Sequence, residues 1–91
     1  MNDSQFYSQV EALGFPAEVL QDGGMVQLSS SNLFGLAYNA SSDILTISFL
    51  NGGVYEYSGV PKSEVIQLLS AGSHGSYFHH NIRMSYPFQR V

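Results

Sequence analysis

The sequence predicts an α+β fold: a small antiparallel β-meander of three or four strands followed by two short helices, with an N-terminal helical extension. Three observations carry that expectation. Leu45, Ile47 and Phe49 alternate with Thr46 and Ser48, the period of a half-buried strand, and Asn51-Gly52-Gly53 then turns the chain back through Val54-Tyr55-Glu56-Tyr57. Val65, Ile66, Leu68 and Leu69 follow Pro61 at helical spacing. Phe6, Val10 and Leu13 stand at i, i+4 and i+7 near the start. Strands grouped together and helices grouped behind them indicate α+β rather than alternating α/β.

Taken in order, Ser4 is the expected cap of the first helix, and Gly14 with Phe15-Pro16 ends it. Pro16 suits the opening of a short helix from Ala17 to Gln21, and Asp22-Gly23-Gly24 breaks the chain. A boundary is expected there, dividing an acidic helical extension, residues 1–24, from an α+β domain, residues 25–91. The apolar stripe of the extension either packs on that domain or covers a binding surface as a displaceable segment. Strands are expected at Met25 to Leu28 and Leu33 to Tyr38, with an Asx- and Ser-type turn over Asn39 to Asp43.

The hairpin loop decides which way two tyrosines face. A two-residue turn at Asn51-Gly52 pairs Phe49 with Val54 and turns Tyr55 and Tyr57 away from Leu45, Ile47 and Phe49. A three-residue loop with Gly53 left-handed pairs Phe49 with Tyr55 and Ile47 with Tyr57, and the tyrosines join the apolar face, because one residue of slip flips a strand. The bulged loop is favoured because it makes one coherent face. Beyond it, Ala71-Gly72 is the expected helix stop, Ser73 opens a second helix through Tyr77, Phe78 and Ile82, and Tyr86 to Val91 is an extended tail that Pro87 keeps from being helical.

The chain has 91 residues, 44% hydrophobic but only 11% charged, so its polar surface is mostly neutral. Cysteine is absent, which removes disulfides, thiolate nucleophiles and Cys-type zinc sites. No signal peptide or apolar run of membrane-spanning length is visible, and a cytoplasmic home without membrane association is expected. Net charge is −4, and it is unevenly placed. Residues 1–29 hold Asp3, Glu11, Glu18 and Asp22 and no cation, whereas residues 30–91 set Lys62, Arg83 and Arg90 against Asp43, Glu56 and Glu64 and are neutral. A strongly basic nucleic-acid footprint is absent.

His74, His79 and His80 cluster beside Ser73 and Ser76, but their spacings of five, six and one do not fit ligands on one helical face, and no carboxylate is near in sequence. Gly72-Ser73-His74-Gly75 is not a nucleophile elbow and lacks an orienting acid. Phosphate-loop and dinucleotide motifs are missing. Asp43, Glu56 and Glu64 are expected on solvent faces. No catalytic residue, cofactor or metal is therefore expected. The three cations do fall late in the chain, interleaved with Tyr77, Phe78, Tyr86 and Phe88, a mixture suited to single-stranded nucleic acid.

Residues from about 30 to 91 resemble the KTSC domain, a short domain named for the C-terminus of some lysyl-tRNA synthetases and also found as stand-alone bacterial proteins. The resemblance rests on Tyr55-Glu56-Tyr57, Val60-Pro61, Leu69, Ala71, Ser73, Gly75, Tyr77-Phe78, Ile82-Arg83 and Tyr86, with His79 standing where the resemblance implies asparagine. It implies an α+β fold and, by the family's association with a synthetase, RNA as a candidate ligand. The leading expectation is a non-enzymatic binding module in which Lys62, Arg83 and Arg90 meet phosphates and Tyr55, Tyr57 or Tyr77 stacks on bases. The alternative is a protein-interaction module, monomeric or homodimeric, with no nucleic-acid ligand. A hydrolase or metal site around Ser73, His74 and His79 is a distant third.

Overall fold

A computed structural model describes all 91 residues. Helices α1 (Asp3–Ala12) and α2 (Ala17–Gln21) precede strands β1 (Val26–Gln27), β2 (Leu33–Asn39), β3 (Ile44–Phe49) and β4 (Val54–Tyr57); helices α3 (Lys62–Ser70) and α4 (His74–Asn81) follow, and β5 (Phe88–Arg90) closes the chain. The strands form one antiparallel sheet in the order β1-β2-β3-β4-β5. The fold is α+β, with five strands rather than three or four. The extended tail supplies the fifth, pairing Phe88 with Tyr57 and Arg90 with Tyr55.

Local chemistry sets the helix boundaries. Helix α1 is capped by Asn2, not Ser4: the Asn2 Oδ1 accepts from the Gln5 backbone N–H at 2.8 Å and the Gln5 Oε1 accepts from the Asn2 N–H at 2.9 Å. That reciprocal box satisfies two donors that a cap at Ser4 leaves open. Ser73 caps α4, its Oγ accepting from the Ser76 N–H at 3.2 Å. Gly72 takes no left-handed conformation at the end of α3; Ala71 is already extended, which leads the chain directly into that cap.

The hairpin register is Leu45 with Tyr57 and Ile47 with Tyr55. The loop is three residues, Leu50-Asn51-Gly52, closed by the Phe49 N–H donating to the Gly53 carbonyl at 2.8 Å. Gly52, at φ +95°, and not Gly53, takes the left-handed position, and the Asn51 Oδ1 holds the Gly53 N–H at 3.0 Å. Moving the loop one residue toward the N-terminus slides the pairing by two residues from that expected. An even slip preserves parity, so Tyr55 and Tyr57 do join the face of Leu45 and Ile47.

One core lies between that face and the helices. Phe6 and Val10 of α1 are as fully buried as Leu36, Ile47, Val65, Leu68 and Ile82, and Ala17 and Leu20 of α2 belong to the same cluster. Phe6 and Val10 of the expected stripe are thus packed inside, with Phe6 against Tyr38 at 5.3 Å between ring centroids, whereas Leu13, at the C-cap of α1, is exposed. At β2 a bulge follows Leu33, and a Cβ on Gly35 would stand 2.5 Å from the Val26 carbonyl oxygen of β1.

Two substitutions check this packing by thermal or urea denaturation. Phe6→Ala is expected to cost about 3–5 kcal/mol, as for a buried phenylalanine, whereas a loosely attached leader would lose far less. Gly35→Ala is expected to cost about 1–3 kcal/mol because backbone, not a flexible side chain, blocks the new methyl.

Candidate functional site

A groove of about 540 Å³ lies between strands β3 to β5 and helix α4 with the segment after it. Phe49, Tyr55, Tyr57, Phe88 and Arg90 contribute from the strands. Phe78, His79, Arg83 and Met84 contribute from α4 and the segment after it, while Asn32, Asn51 and Gly53 form the rim. The alternation of β4 and β5 causes this arrangement: Tyr55, Tyr57, Phe88 and Arg90 occupy paired positions on one face, and Glu56 and Gln89 pair on the other.

No Asp or Glu lines the groove, although the chain as a whole carries −4. Both of its arginines do line it. Neither is in an ion pair: the structure's two salt bridges both belong to Lys62. The Arg90 guanidinium lies 5.9 Å from the centroid of the Tyr55 ring, within cation–π range. Phe49 and Phe88 meet Tyr55 edge-on at 5.7 and 5.9 Å. Tyr57 is buried, with its ring edge-on to Phe78 at 5.3 Å. Burial raises the Tyr57 phenol above its ordinary value, and the Arg83 charge opposes that rise. Phe88 and Met84 remain open to solvent, at 55% and 85% exposure.

Two expected ligand-binding residues lie elsewhere. The Lys62 ammonium donates to the Ala40 carbonyl at 3.1 Å and pairs with Asp3 at 3.4 Å and Asp43 at 4.0 Å. It sits near the start of β3, whereas the groove is at that strand's other end, so Lys62 ties α1 to the domain instead of joining Arg83 and Arg90. The Tyr77 hydroxyl donates to Glu64 Oε2, and the Tyr86 hydroxyl donates to Glu64 Oε1 at 2.9 Å. Glu64, expected on a solvent face, is half-buried between these two phenols, because the carboxylate has two oxygens for two donors. Burial first, then the Glu64 hydrogen bond and charge, push the Tyr77 phenol up to about 12; the same causes raise Tyr86.

The histidines and Ser73 do not converge. His74 Nδ1 is 2.9 Å from the Leu68 carbonyl, His80 Nδ1 is 2.8 Å from the Ser76 carbonyl, and the Ser73 hydroxyl is the helix cap. Of the three rings, only His79 lines the groove.

Comparison with known proteins agrees with this architecture. Residues 29–86 match the family model of the KTSC domain. The chain belongs to the KTSC domain family. An uncharacterized protein of Stutzerimonas stutzeri (strain A1501) is 42% identical over 53 residues, covering 58% of this chain and 75% of that protein. The crystal structure of a KTSC domain protein from Yersinia pestis superposes with a TM-score of 0.72 at 28% identity, covering 74% of this chain and 94% of the other. Within this KTSC domain, most of the motif residues serve the architecture: Tyr57, Val60, Phe78 and Ile82 are buried, Pro61 opens α3, Ser73 caps α4, and Tyr86 is held by Glu64. A Cβ on Gly75 would stand 3.3 Å from the Ser30 Oγ, and Ala71 is half-buried at the turn. Of the four motif residues that line the groove, Tyr57 and Phe78 are buried, and Tyr55 and Arg83 are the two that remain accessible.

The Glu64 clamp has a pH signature. A folded-state tyrosine pKa raised above the unfolded value of ~10 contributes stability fully present below pH ~10 and lost as pH rises through the folded value, because the unfolded chain ionises first. Stability is therefore expected to fall between pH ~10 and the value of about 12 for Tyr77. Glu64→Gln, with a single acceptor oxygen for two phenols, should move tyrosinate formation, followed by ultraviolet absorbance, to lower pH. An unchanged titration in the variant would show that Glu64 does not hold these groups.

Proposed function

We propose that this KTSC domain is a non-enzymatic module that binds single-stranded nucleic acid, RNA in particular, in the groove between β4–β5 and α4. The observation that carries the reading is charge placement. On a chain of net charge −4, the two arginines line one carboxylate-free groove and remain without acidic partners. An anionic ligand fits that field. The aromatic half of the lining selects among anions. Phe88 is exposed beside Tyr55, and bases stack on such rings without requiring a particular sequence. His79 is the one imidazole in the groove, and neither a serine nor a carboxylate stands there with it: Ser73 caps α4 and no Asp or Glu lines the groove.

Two phosphate contacts imply modest affinity with a shallow salt dependence. On single strands the slope of log K against log salt is expected near −1.4, about −0.7 per phosphate contacted. Fluorescence anisotropy with labelled oligouridine at low and moderate salt measures it. Arg83→Ala should weaken binding and reduce the slope to about −0.7. Phe88→Ala should weaken it by about 1–3 kcal/mol while leaving the slope unchanged. Equal competition by an acidic peptide would favour a protein partner, and absence of binding at low salt would refute the reading.

A further inference from the structure

We infer that His79 is a proton-operated third cation of this groove, so that anion binding there strengthens as pH falls through the imidazole range; the inference rests on the nucleic-acid reading above. His79 differs from the other two histidines in what its ring nitrogen does. His74 Nδ1 and His80 Nδ1 face the backbone carbonyls of Leu68 and Ser76, which only accept, so both rings donate there and keep those bonds when protonated. His79 Nδ1 faces Arg83 Nη1 at 3.3 Å. A guanidinium can only donate, so in this contact His79 Nδ1 takes the accepting role, which requires the ring proton to sit on Nε2.

Protonation removes that lone pair. Two donors, both cationic, then face each other, and the contact becomes repulsive. Both side chains are exposed and free to turn away. They already line the groove, so separation leaves three positive charges on it instead of two, with Arg83 released from an internal partner to an external one. No acidic group among the surroundings neutralises the added charge. From α4 and the segment after it, His79 is faced by Arg83 and by the His80 ring, edge-on at 5.2 Å. From β4 and β5 the charged or titratable groups of the groove are Tyr55, Tyr57 and Arg90, and the rim adds only the neutral amides of Asn32 and Asn51. With no carboxylate in the lining, the added charge is compensated only by solvent or by a ligand phosphate.

Oligouridine is the suitable probe because neither its phosphates nor its bases titrate in this range. At constant ionic strength, lowering the pH from about 8 to about 5.5 should tighten binding to the wild type by about fourfold, the effect of one more unit charge roughly 5 Å from a phosphate in water. His79→Asn keeps an acceptor for Arg83 but cannot titrate, and its affinity should be the same at both pH values. His80→Asn should retain the wild-type response. Equal wild-type affinity at both pH values, or a response that survives in His79→Asn, overturns the inference. A second readout needs no ligand: in the protein alone, the Arg83 side-chain N–H resonances should shift with the midpoint of His79 titration in an NMR pH series. Failure of oligouridine to bind at either pH refutes the nucleic-acid reading, and the Arg83 resonances then decide the switch independently; if they do not follow His79, it is overturned.

Discussion

The register of the β3–β4 hairpin is the constraint on which the groove depends. The Leu50-Asn51-Gly52 loop, with Gly52 left-handed and Asn51 holding the Gly53 N–H, sets Ile47 opposite Tyr55 and Leu45 opposite Tyr57. Parity then places both tyrosines on the helix-bearing face. Because β5 pairs with β4, the same parity carries to the tail and puts Phe88 and Arg90 on that face as well. A slip of one residue would send Tyr55 and Tyr57 to the opposite face, open the core beside Phe78 and remove the aromatic floor beneath the arginines. Stability and the candidate site share this single geometric cause.

Helix α3 is where the two ends of the chain are secured. Lys62 and Glu64 are two positions apart in its first turn and therefore point to different flanks. On one flank Lys62 reaches Asp3 of α1 and the Ala40 carbonyl. On the other, Glu64 collects the Tyr77 and Tyr86 hydroxyls. The second clamp lies immediately before Pro87 and β5, so it also steadies the strand that carries Phe88 and Arg90 into the groove. These polar contacts are partly exposed, and each contributes less than the burial of a residue such as Phe6. Their value lies in orientation: they select where the termini dock on a core that the apolar residues have already formed.

This division of labour explains how a weakly charged chain retains an electropositive groove. The only lysine is consumed in tethering the leader, and Glu64 is consumed in holding the tail. Glu56 lies on the opposite face of the sheet, opposite Gln89. The two arginines are left without acidic neighbours, one beside the Tyr55 ring and the other with its Nη1 3.3 Å from His79 Nδ1. Such partners hold a guanidinium in place without neutralising it.

The local elements were legible in the residues alone. The alternation of Leu45 and Ile47 and the spacings of Phe6 with Val10 and of Val65 with Leu69 each report a periodic burial that the element follows at those positions. The hairpin parity that the structure shows was the one the sequence favoured, because it gathers the apolar side chains on one face, but a two-residue turn at Asn51-Gly52 stayed open until the pairing was seen. The actual register was not legible, because Gly52 and Gly53 are equally able to take the left-handed position, and the choice rests on backbone hydrogen bonds that composition does not encode. Strand β5 escaped for a related reason: three residues are too short a run to declare a period, and they become a strand only when β4 offers its edge, a pairing more than thirty residues away. Glu64 read as a surface acid until α3 and α4 brought two phenols to its two oxygens. Residue types and short-range spacing thus determined the fold class, the helices and the apolar face. Which cations are free, which are engaged, and that Arg83, Arg90, Tyr55 and His79 share one groove were decided by the tertiary structure alone, because proximity between distant segments follows from how the faces pack and not from the order of the residues.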